Sequence, residues 1–213
     1  KIKKIIDRPM QCDRLTKQCV EIVISANLPS AYGKFRIVAF HNNVDHEEHI
    51  AIIKGDVANK ENVIVRLHSE CLTGDVFGSL RCDCHEQLVS SLSFLEKQEN
   101  GVLLYLRQEG RGIGLTNKIK AYFLQENGYD TVEANHALGF PDDLRKYNVA
   151  SEMLKLLKVR SIMLLTNNPK KIKELGNNGI RITDRIPIEI KPNLYNKNYL
   201  ETKKNKSGHL INL

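Results

Sequence analysis

The sequence predicts a mixed α/β (α+β) fold, in which a β-rich N-terminal part carries a cysteine cluster and strands then alternate with helices. Two observations support this class. Short segments rich in Val, Ile and Phe follow one another between residues 19 and 67, with turn-forming residues between them. From residue 85 onward, helical leucine spacing alternates with short apolar runs, which implies parallel strand pairing. The chain of 213 residues is long enough to bury a substantial core.

The elements are predicted in chain order from these patterns. The four N-terminal strands are expected at residues 19–26, 34–41, 48–55 and 62–67. Leu88, Leu92 and Leu95 predict a helix over 85–98, which ends before a buried strand at 102–106. The later elements are helices at about 115–127 and 147–157, a strand at 161–165 and a helix that begins at Pro169. The last twenty residues are polar, which favours fraying.

The charge balance points to an anionic partner. There are 32 Lys and Arg residues against 25 Asp and Glu residues, a net charge of +7, although general solubility would also explain an excess of this size. Trp is absent, aromatic residues make up 6% of the chain, and no nucleic-acid-binding motif is evident. Every apolar run is too short to span a membrane. A small polyphosphate ligand is therefore favoured, without nucleic acid or membrane as a partner.

Three of the five cysteines are spaced as a metal site. Cys71, Cys82 and Cys84 form the pattern C-x10-C-x-C, and no secretion signal precedes them. We therefore expect metal-binding thiolates in a reducing, cytoplasmic compartment and no disulfide framework. Three thiolates would leave a fourth zinc position for water, whereas ligation by His68 or His85 would close the site into a structural one. In an extended segment, positions 82 and 84 would point to the same side. Buried cysteines without metal are the remaining alternative.

A catalytic zinc ion would make the protein a hydrolase. Bound zinc lowers the pKa of its water to about 7, which allows hydrolytic attack on an electrophilic carbon at neutral pH. The pattern differs from that of base deaminases, because no P-C-x-x-C motif is present.

A glycine-rich segment at 109–114 joins a predicted strand to a predicted helix. Its backbone N–H groups and Arg111 are suited to phosphate, although a tight turn explains the glycines equally well. Leu115 stands where a dinucleotide-binding fingerprint needs glycine, and no P-loop is present. Segments 138–145 and 165–171 are also rich in polar residues, and the second lies at a predicted strand end where ligands bind in α/β sheets.

Five segments together resemble the GTP cyclohydrolase II family, in the order in which that family carries them. They are residues 66–75, 79–84, 105–115, 128–135 and 165–171. The resemblance implies an enzyme of riboflavin synthesis that opens the imidazole ring of GTP, releases formate and pyrophosphate, and leaves a diaminopyrimidinone ribosyl phosphate. It also implies one Zn2+ per subunit, Mg2+ with the triphosphate, and a homodimer. A related enzyme that stops at the formamide and a non-catalytic zinc- and nucleotide-binding module are the alternatives.

The resemblance carries roles onto individual residues. Cys71, Cys82 and Cys84 would bind zinc, and Asp143, Arg145 and Tyr122 would be catalytic. The GTP-contacting residues would be Arg66, Leu67, His68, Ser69, Glu70, Gln87, Glu109, Gly110, Arg111, Thr131, Thr166 and Lys171. In the family proposal, Arg145 attacks phosphate with help from Asp143. Since a guanidinium has a pKa above about 12, a conservative alternative is that Arg145 stabilises charge while Asp143 orients water.

Two parts of the chain depart from a simple match. His85 stands where the resemblance predicts glycine. Residues 1–17 resemble a linker to a dihydroxybutanone phosphate synthase domain, with residues 18–213 forming the cyclohydrolase domain. Because the chain begins with Lys1 and not with methionine, we expect it to be a piece of a longer protein.

Overall fold

A seven-stranded mixed sheet runs through the part of the chain that the computed structural model describes, residues 10–211. Its strands are β1 (Val20–Ser30), β2 (Gly33–Asn42), β3 (His49–Lys54), β4 (Val63–Ser69), β5 (Gly101–Leu106), β6 (Ile162–Leu165) and β7 (Ile182–Ile186). Their spatial order is β1-β2-β3-β5-β4-β6-β7. The fold class predicted from the sequence is confirmed.

The sheet changes direction at β5. The β1/β2, β2/β3 and β3/β5 pairs are antiparallel, as expected for strands that short turns connect. The β5/β4, β4/β6 and β6/β7 pairs are parallel, because helical crossovers separate these strands along the chain. The parallel pairing predicted for the second part of the chain is thus confirmed.

Seven α-helices accompany the sheet within residues 10–211. They are α1 (Leu72–Asp75), α2 (Cys84–Glu96), α3 (Gly114–Glu126), α4 (Thr131–Ala137), α5 (Asn148–Leu156), α6 (Pro169–Asn177) and α7 (Lys197–Asn205). Three of them, α2, α3 and α5, match the predicted helices to within about two residues at each end, which is the ordinary uncertainty of a helix boundary, and α6 begins at Pro169 as predicted. No helix in this range is long and apolar enough to cross a membrane.

The core lies on both faces of the sheet. Along β5, Val102, Leu104 and Leu106 face the larger cluster, which α5 and α6 cover. Leu103 faces the opposite side, where it packs with Leu95 of α2. This alternation is the period of two that a strand buried on both faces must show.

The C-terminal segment is ordered as far as residue 211, and the expectation that it frays is wrong for this part; residues 212 and 213 lie outside the described residues. Leu200 of α7 is buried, the N–H of Leu210 donates to the carbonyl oxygen of Asn167 at 2.9 Å, and Lys203 forms an ion pair with Asp83 at 2.7 Å. Because these partners lie elsewhere in the fold, the polar composition of the segment gave no sign of them.

The described part of the predicted leader is tied to β2. Cys12 and Cys19 form a disulfide, a pairing that the sequence analysis did not predict. The side-chain amide of Asn43 donates to the carbonyl oxygens of Cys12, Leu15 and Lys17 at 3.0–3.1 Å. Residues 1–9 of the leader lie outside the described residues. The domain boundary at residue 17 stays a prediction.

The carboxyl ends of the parallel strands meet at one edge of the sheet. β4 leads into the first cysteine, its neighbour β5 leads into the glycine-rich turn, and β6 leads into Thr166. Open α/β sheets bind ligands in the crevice at this edge.

Candidate active site

Three cysteine side chains meet beyond β4. Cys71 follows the strand, Cys82 lies in a bend and Cys84 begins α2. Their Sγ atoms all lie within 4.8 Å of one another, and those of Cys71 and Cys82 are 3.7 Å apart. Thiolates bound at about 2.3 Å to a tetrahedral zinc ion would be roughly 3.8 Å apart, so the cluster fits such an ion. All three thiols are free of disulfides.

The bend, and not an extended segment, brings Cys82 and Cys84 to the same side. The expectation of an extended conformation at 82–84 is wrong, because Cys84 is already helical. The backbone turns through residues 81–83 to reach the start of α2.

Neither candidate histidine joins the sulfur cluster. His68 Nε2 lies 3.0 Å from both carboxylate oxygens of Asp75, and His85 Nδ1 lies 3.3 Å from the Asp75 carbonyl oxygen. Among the described residues, the group of side chains that could bind a metal ion together contains only the three cysteines. A fourth position is therefore left for a non-protein ligand, which is the arrangement of catalytic zinc sites.

Asp75 holds the segment that carries Cys71. Its Oδ2 accepts from the Cys71 backbone N–H at 3.1 Å and from the Tyr105 hydroxyl at 2.8 Å, in addition to facing His68. Its side chain is 3% exposed. The sequence analysis gave Asp75 no specific role, although it is a buried carboxylate that fixes the backbone beside a candidate metal ligand.

Gly74 leaves the space in which the sulfur atoms meet. A Cβ at this position would lie 3.0 Å from Cys82 Sγ and 3.1 Å from Cys71 Sγ, closer than side chains tolerate without displacement. The absence of a side chain at Gly74 therefore sets the spacing of the cluster.

The charge of Lys118 lies against the cluster. Its Nζ donates to Cys71 Sγ at 3.1 Å and to Glu109 Oε1 at 2.8 Å. Burial alone would lower the pKa of Lys118, but these two negative partners raise it, so the ammonium group stays charged. The sequence analysis missed this lysine, because a lysine on a predicted amphipathic helix is usually on the solvent side.

The three thiols do not ionise alike. A hydrogen bond from Cys82, together with the charge of Lys118, lowers the pKa of Cys71 well below its usual value. The hydrogen bond that Cys82 shares with Cys71 raises the pKa of Cys82 to about 12, and the pKa of Cys84 is also raised by its neighbours. A cation at the centre would remove this repulsion, since metal binding releases thiol protons.

Tyr122 closes the same space from α3. Its hydroxyl lies 3.1 Å from Thr73 Oγ1, and the guanidinium of Arg81 lies over its ring at 4.8 Å. Burial raises the pKa of Tyr122, so its hydroxyl stays protonated. We call the space around the sulfur atoms, bounded also by Glu70, Gly110 and Thr131, the thiol pocket; it measures about 700 Å³.

The glycine-rich turn contributes to the wall of the thiol pocket more than to a phosphate-binding loop. Gly110 and Arg111 both adopt left-handed conformations, with φ near 61° and 62°. The Gly110 N–H donates to Glu109 Oε1 at 2.8 Å and the Leu72 N–H donates to Glu109 Oε2 at 2.7 Å. Because Glu109 occupies the Gly110 N–H, the turn offers no backbone cradle there, and Arg111 is its cationic contribution.

A second space opens beside the first and is rich in positive charge. We call it the cationic pocket; it measures about 650 Å³. Ser69, Cys84, Arg111, Arg145 and Tyr199 line both pockets, so the two form one continuous cleft. The predicted residues that line only the cationic pocket are Arg66, His68, Gln87, Thr166 and Lys171.

Three of the cationic side chains that line this pocket, Arg66, Arg111 and Lys171, have no carboxylate within 4.0 Å among the described residues. Arg66 Nη1 donates to the Leu165 carbonyl at 3.1 Å, Lys171 Nζ to the Leu67 carbonyl at 2.7 Å, and Arg111 Nη1 to the Asp142 carbonyl at 3.3 Å. Arg66 and Lys171 are also buried. Burial lowers the pKa of Lys171 well below its usual value and that of Arg66 to about 10, and neighbouring cations add to the effect on Lys171. The guanidinium charges of Arg66 and Arg111 are suited to an anion, and a bound anion would also favour the charged form of Lys171.

Arg145 is the exception, because it has a carboxylate partner. Its Nε and Nη2 donate to the two oxygens of Asp143 at 2.9 and 2.8 Å. Burial would raise the pKa of Asp143, but these contacts lower it to about 2, and the pKa of Arg145 is raised. Both side chains are therefore charged at neutral pH.

The cleft brings together all but two of the predicted site residues. Leu67 is buried in the core and reaches the site only through its carbonyl oxygen, and Asp143 lies behind Arg145 and lines neither pocket. The gathering explains why motifs scattered along the chain belong to one site, although it assigns no role to any of them.

The cleft falls within a region that known proteins share. A family model described as GTP cyclohydrolase II matches residues 21–187. The chain is 52% identical over 210 residues to "Riboflavin biosynthesis protein RibBA" of Chlorobium phaeovibrioides, covering 99% of this chain and 50% of that protein. The protein of the same name from Endomicrobium trichonymphae is 52% identical over 198 residues, covering 93% and 49%. One from Bacillus cereus is 54% identical over 186 residues, covering 87% and 47%. The chain thus spans about half the length of the curated relatives it matches.

Gly74→Val should weaken metal binding by the cysteine cluster about tenfold or more, because its side chain would displace the sulfur atoms. Titration with Co2+ measures this, since cobalt–thiolate absorbance reports both affinity and the number of sulfur ligands. Gly176→Ala is the matched control, because a Cβ there meets nothing within 4 Å. Equal Co2+ affinity in both variants would contradict the assigned role of Gly74.

Proposed function

This chain belongs to the GTP cyclohydrolase II family, and we propose that its cleft opens the imidazole ring of GTP and releases formate and pyrophosphate. The observation that carries the proposal is the continuity of a three-thiol cluster with a pocket of unpaired cations. One half suits hydrolysis at a carbon atom, and the other suits a polyphosphate. The product would be a diaminopyrimidinone ribosyl phosphate for riboflavin synthesis.

The cationic pocket would hold the triphosphate. Arg66, Arg111 and Lys171 would each gain the anionic partner that they lack among the described residues. Charge-assisted contacts of this kind are stronger than contacts to neutral carbonyls, so binding would relieve the mutual repulsion of the three cations. Mg2+ would neutralise the phosphate charge that remains. Thr166 and Gln87 would contribute neutral contacts at the same wall.

The thiol pocket would hold the guanine. A zinc ion bound by Cys71, Cys82 and Cys84 would supply the Lewis acidity that activates water for hydrolysis of the imidazole ring and then of the formamide. Tyr122, which is protonated, would hold or pass a proton beside the reacting carbon, and Glu70 would be the second candidate for this role. Lys118 would keep Cys71 ionised throughout.

Arg145 would stabilise charge at the α-phosphate as pyrophosphate leaves. Its raised pKa keeps it a cation, which argues against its use as a neutral nucleophile. Asp143 accepts hydrogen bonds from two nitrogen atoms of Arg145 and would fix the direction of the guanidinium. The roles of both residues in the reaction are therefore electrostatic and positional in this proposal.

Incubating the zinc-loaded chain with GTP and Mg2+ should release formate and pyrophosphate together. Cys82→Ser should abolish formate release, because it removes one of three thiolates from the cluster. Both products are quantified in the same samples. A product that retains the formamide would support the related enzyme that stops after ring opening, and release of neither product would support a non-catalytic module.

Arg145→Lys should lower the rate of pyrophosphate release about a hundredfold, because lysine keeps the charge but loses the two-point contact with Asp143. Rapid-quench assays measure this rate. For the protein without the substitution, mass spectrometry of the quenched samples should show no guanylylated peptide. Trapping GMP on Arg145 would establish the covalent route instead. Lys146→Ala, next to it in sequence, serves as the control for the substitution.

We also propose a homodimer formed through α3. Leu115, Ile119 and Phe123 recur every four residues and are 39%, 49% and 66% exposed, so they form one apolar stripe. The same stripe on a second copy would cover it, since dimers with twofold symmetry pair identical surfaces.

Phe123→Glu should convert the dimer to a monomer, because it places a charge at the most exposed position of this stripe. Light scattering during size exclusion measures the mass against the 24.3 kDa of one chain. Leu194→Glu is the control, since Leu194 is 96% exposed and lies outside α3. An unchanged mass for Phe123→Glu would exclude this interface.

Residues 18–213 would be the cyclohydrolase part of a longer protein that also carries a dihydroxybutanone phosphate synthase domain, joined through residues 1–17. The half-length coverage of the curated relatives supports this. We place the protein in the cytoplasm, where free thiols persist, although the Cys12–Cys19 disulfide is unusual there. Alkylation at lysis followed by mass measurement tests both points, since it gives the full chain length and shows whether Cys12 and Cys19 are free.

A further inference from the structure

The chain beyond β7 covers the cationic pocket. We call residues 196–211 the C-terminal strap. Its Tyr199 lines both pockets, and Lys203, His209 and Ile211 line the cationic pocket. The residues that match the family model end at 187, before the strap begins. A wall of the cleft is therefore built by residues that none of the recognised motifs contains.

The strap is fastened at three separate places around the cleft. Lys203 pairs with Asp83 at 2.7 Å, and the Asn196 side chain donates to the Cys82 carbonyl oxygen at 3.4 Å, so both hold the cysteine bend. Lys206 pairs with Asp130 at the start of α4. The third fastening is the bond from Leu210 to Asn167, beside α6. Contacts at three sides fix the strap across the opening.

One fastening also reaches Arg66, a cation that lines the cationic pocket. Asp83, held by Lys203, accepts a hydrogen bond from the Gln87 side chain, and Gln87 accepts one from Arg66. Lys203 is thus a positioning residue for Arg66, since its own charge is already paired with Asp83.

His209 has the features of a group that awaits a ligand. Neither of its ring nitrogens has a hydrogen-bond partner among the described residues, and Nδ1 is buried. Burial, followed by the charges of Lys203, Arg111, Arg145 and Lys171, lowers the pKa of His209 to about 3. The imidazole is therefore neutral and lies in a field of positive charge. His209 lines the cationic pocket and its ring has no partner among the described residues, so the imidazole N–H on the pocket side is available to an acceptor bound there.

We propose that the C-terminal strap is a substrate-binding element whose His209 donates a hydrogen bond to the polyphosphate chain. The donor is Nε2, because Nδ1 is shielded from solvent. Tyr199, which lines both pockets, bounds the passage from the phosphates to the base. This inference rests on the proposed function, since it requires a polyphosphate in the cationic pocket.

The test measures binding of inorganic triphosphate and of guanosine to the full zinc-loaded chain by calorimetry. His209→Ala should raise the Kd for triphosphate about 10-fold to 100-fold, which is the usual effect of losing a hydrogen bond to a charged group. The Kd for guanosine should stay within about twofold, because a neutral nucleoside makes no phosphate contact. His209→Gln, which keeps an N–H donor near the position of Nε2, should restore most of the affinity for triphosphate.

Lys204→Ala is the matched control on the same strap, since Lys204 is exposed and should leave both affinities unchanged. Unaltered triphosphate binding by His209→Ala, in a chain that does hydrolyse GTP, would overturn the strap inference alone. Equal loss of triphosphate and guanosine binding would also overturn it, because that pattern indicates a structural role. If the unmodified chain neither bound triphosphate nor hydrolysed GTP, the proposed function and this inference would fail together.

Discussion

The parallel pairing of β4 with both β5 and β6 is the interaction on which the whole cleft depends. It sets three carboxyl ends side by side, so that the cysteine segment, the glycine-rich turn and the Thr166 loop leave the sheet at the same edge. The antiparallel strands β1 to β3 extend the sheet from the edge of β5 that faces away from β4. The chemistry of the site is thus a consequence of strand order, because a different neighbour for β4 would separate the thiols from the cations.

The cationic pocket lowers the stability of the fold because it buries charges, and the same charges give it affinity for a phosphate. Burying Arg66 and Lys171 opposite carbonyl groups, with no carboxylate within 4.0 Å in the described residues, is unfavourable because each charge loses its hydration. Carboxylate partners would remove that penalty, but they would also repel a phosphate. Asp143 and Asp83 show how the fold limits the repulsion, since each neutralises one cation and leaves the others available. Such local conflict between stability and packing rules is expected at functional sites.

The sequence predicted the long elements and the metal cluster, because both depend on spacing along a short stretch of chain. Richness in Val, Ile or Phe marked β2 and β3, and Cys71, Cys82 and Cys84 fall within fourteen consecutive positions. The helix α4 was not predicted, although Asp130 and Glu133 form a capping box that signals a helix start. The elements β7 and α7 were not predicted either, for a different reason. Their residues are mostly polar, and contacts from distant parts of the fold bury the few that are buried. The roles of Lys118 and His209 could not be predicted for the same reason. Lys118, for example, donates a hydrogen bond to Cys71 Sγ, which lies 47 residues away along the chain.

The cysteine cluster and the cationic pocket differ in how far apart along the chain their residues lie, and this separates them in the order of folding. The thiol cluster lies within the fourteen residues from Cys71 to Cys84, whereas β4 must pair with β6 across 99 residues and Lys203 with Asp83 across 120. Closing a longer loop has a larger entropic cost, and non-local contacts form slowly. The cysteine cluster is therefore able to assemble before the distant segments that line the cationic pocket have come together. A partly folded chain would then hold its reactive thiols in place before it holds a substrate.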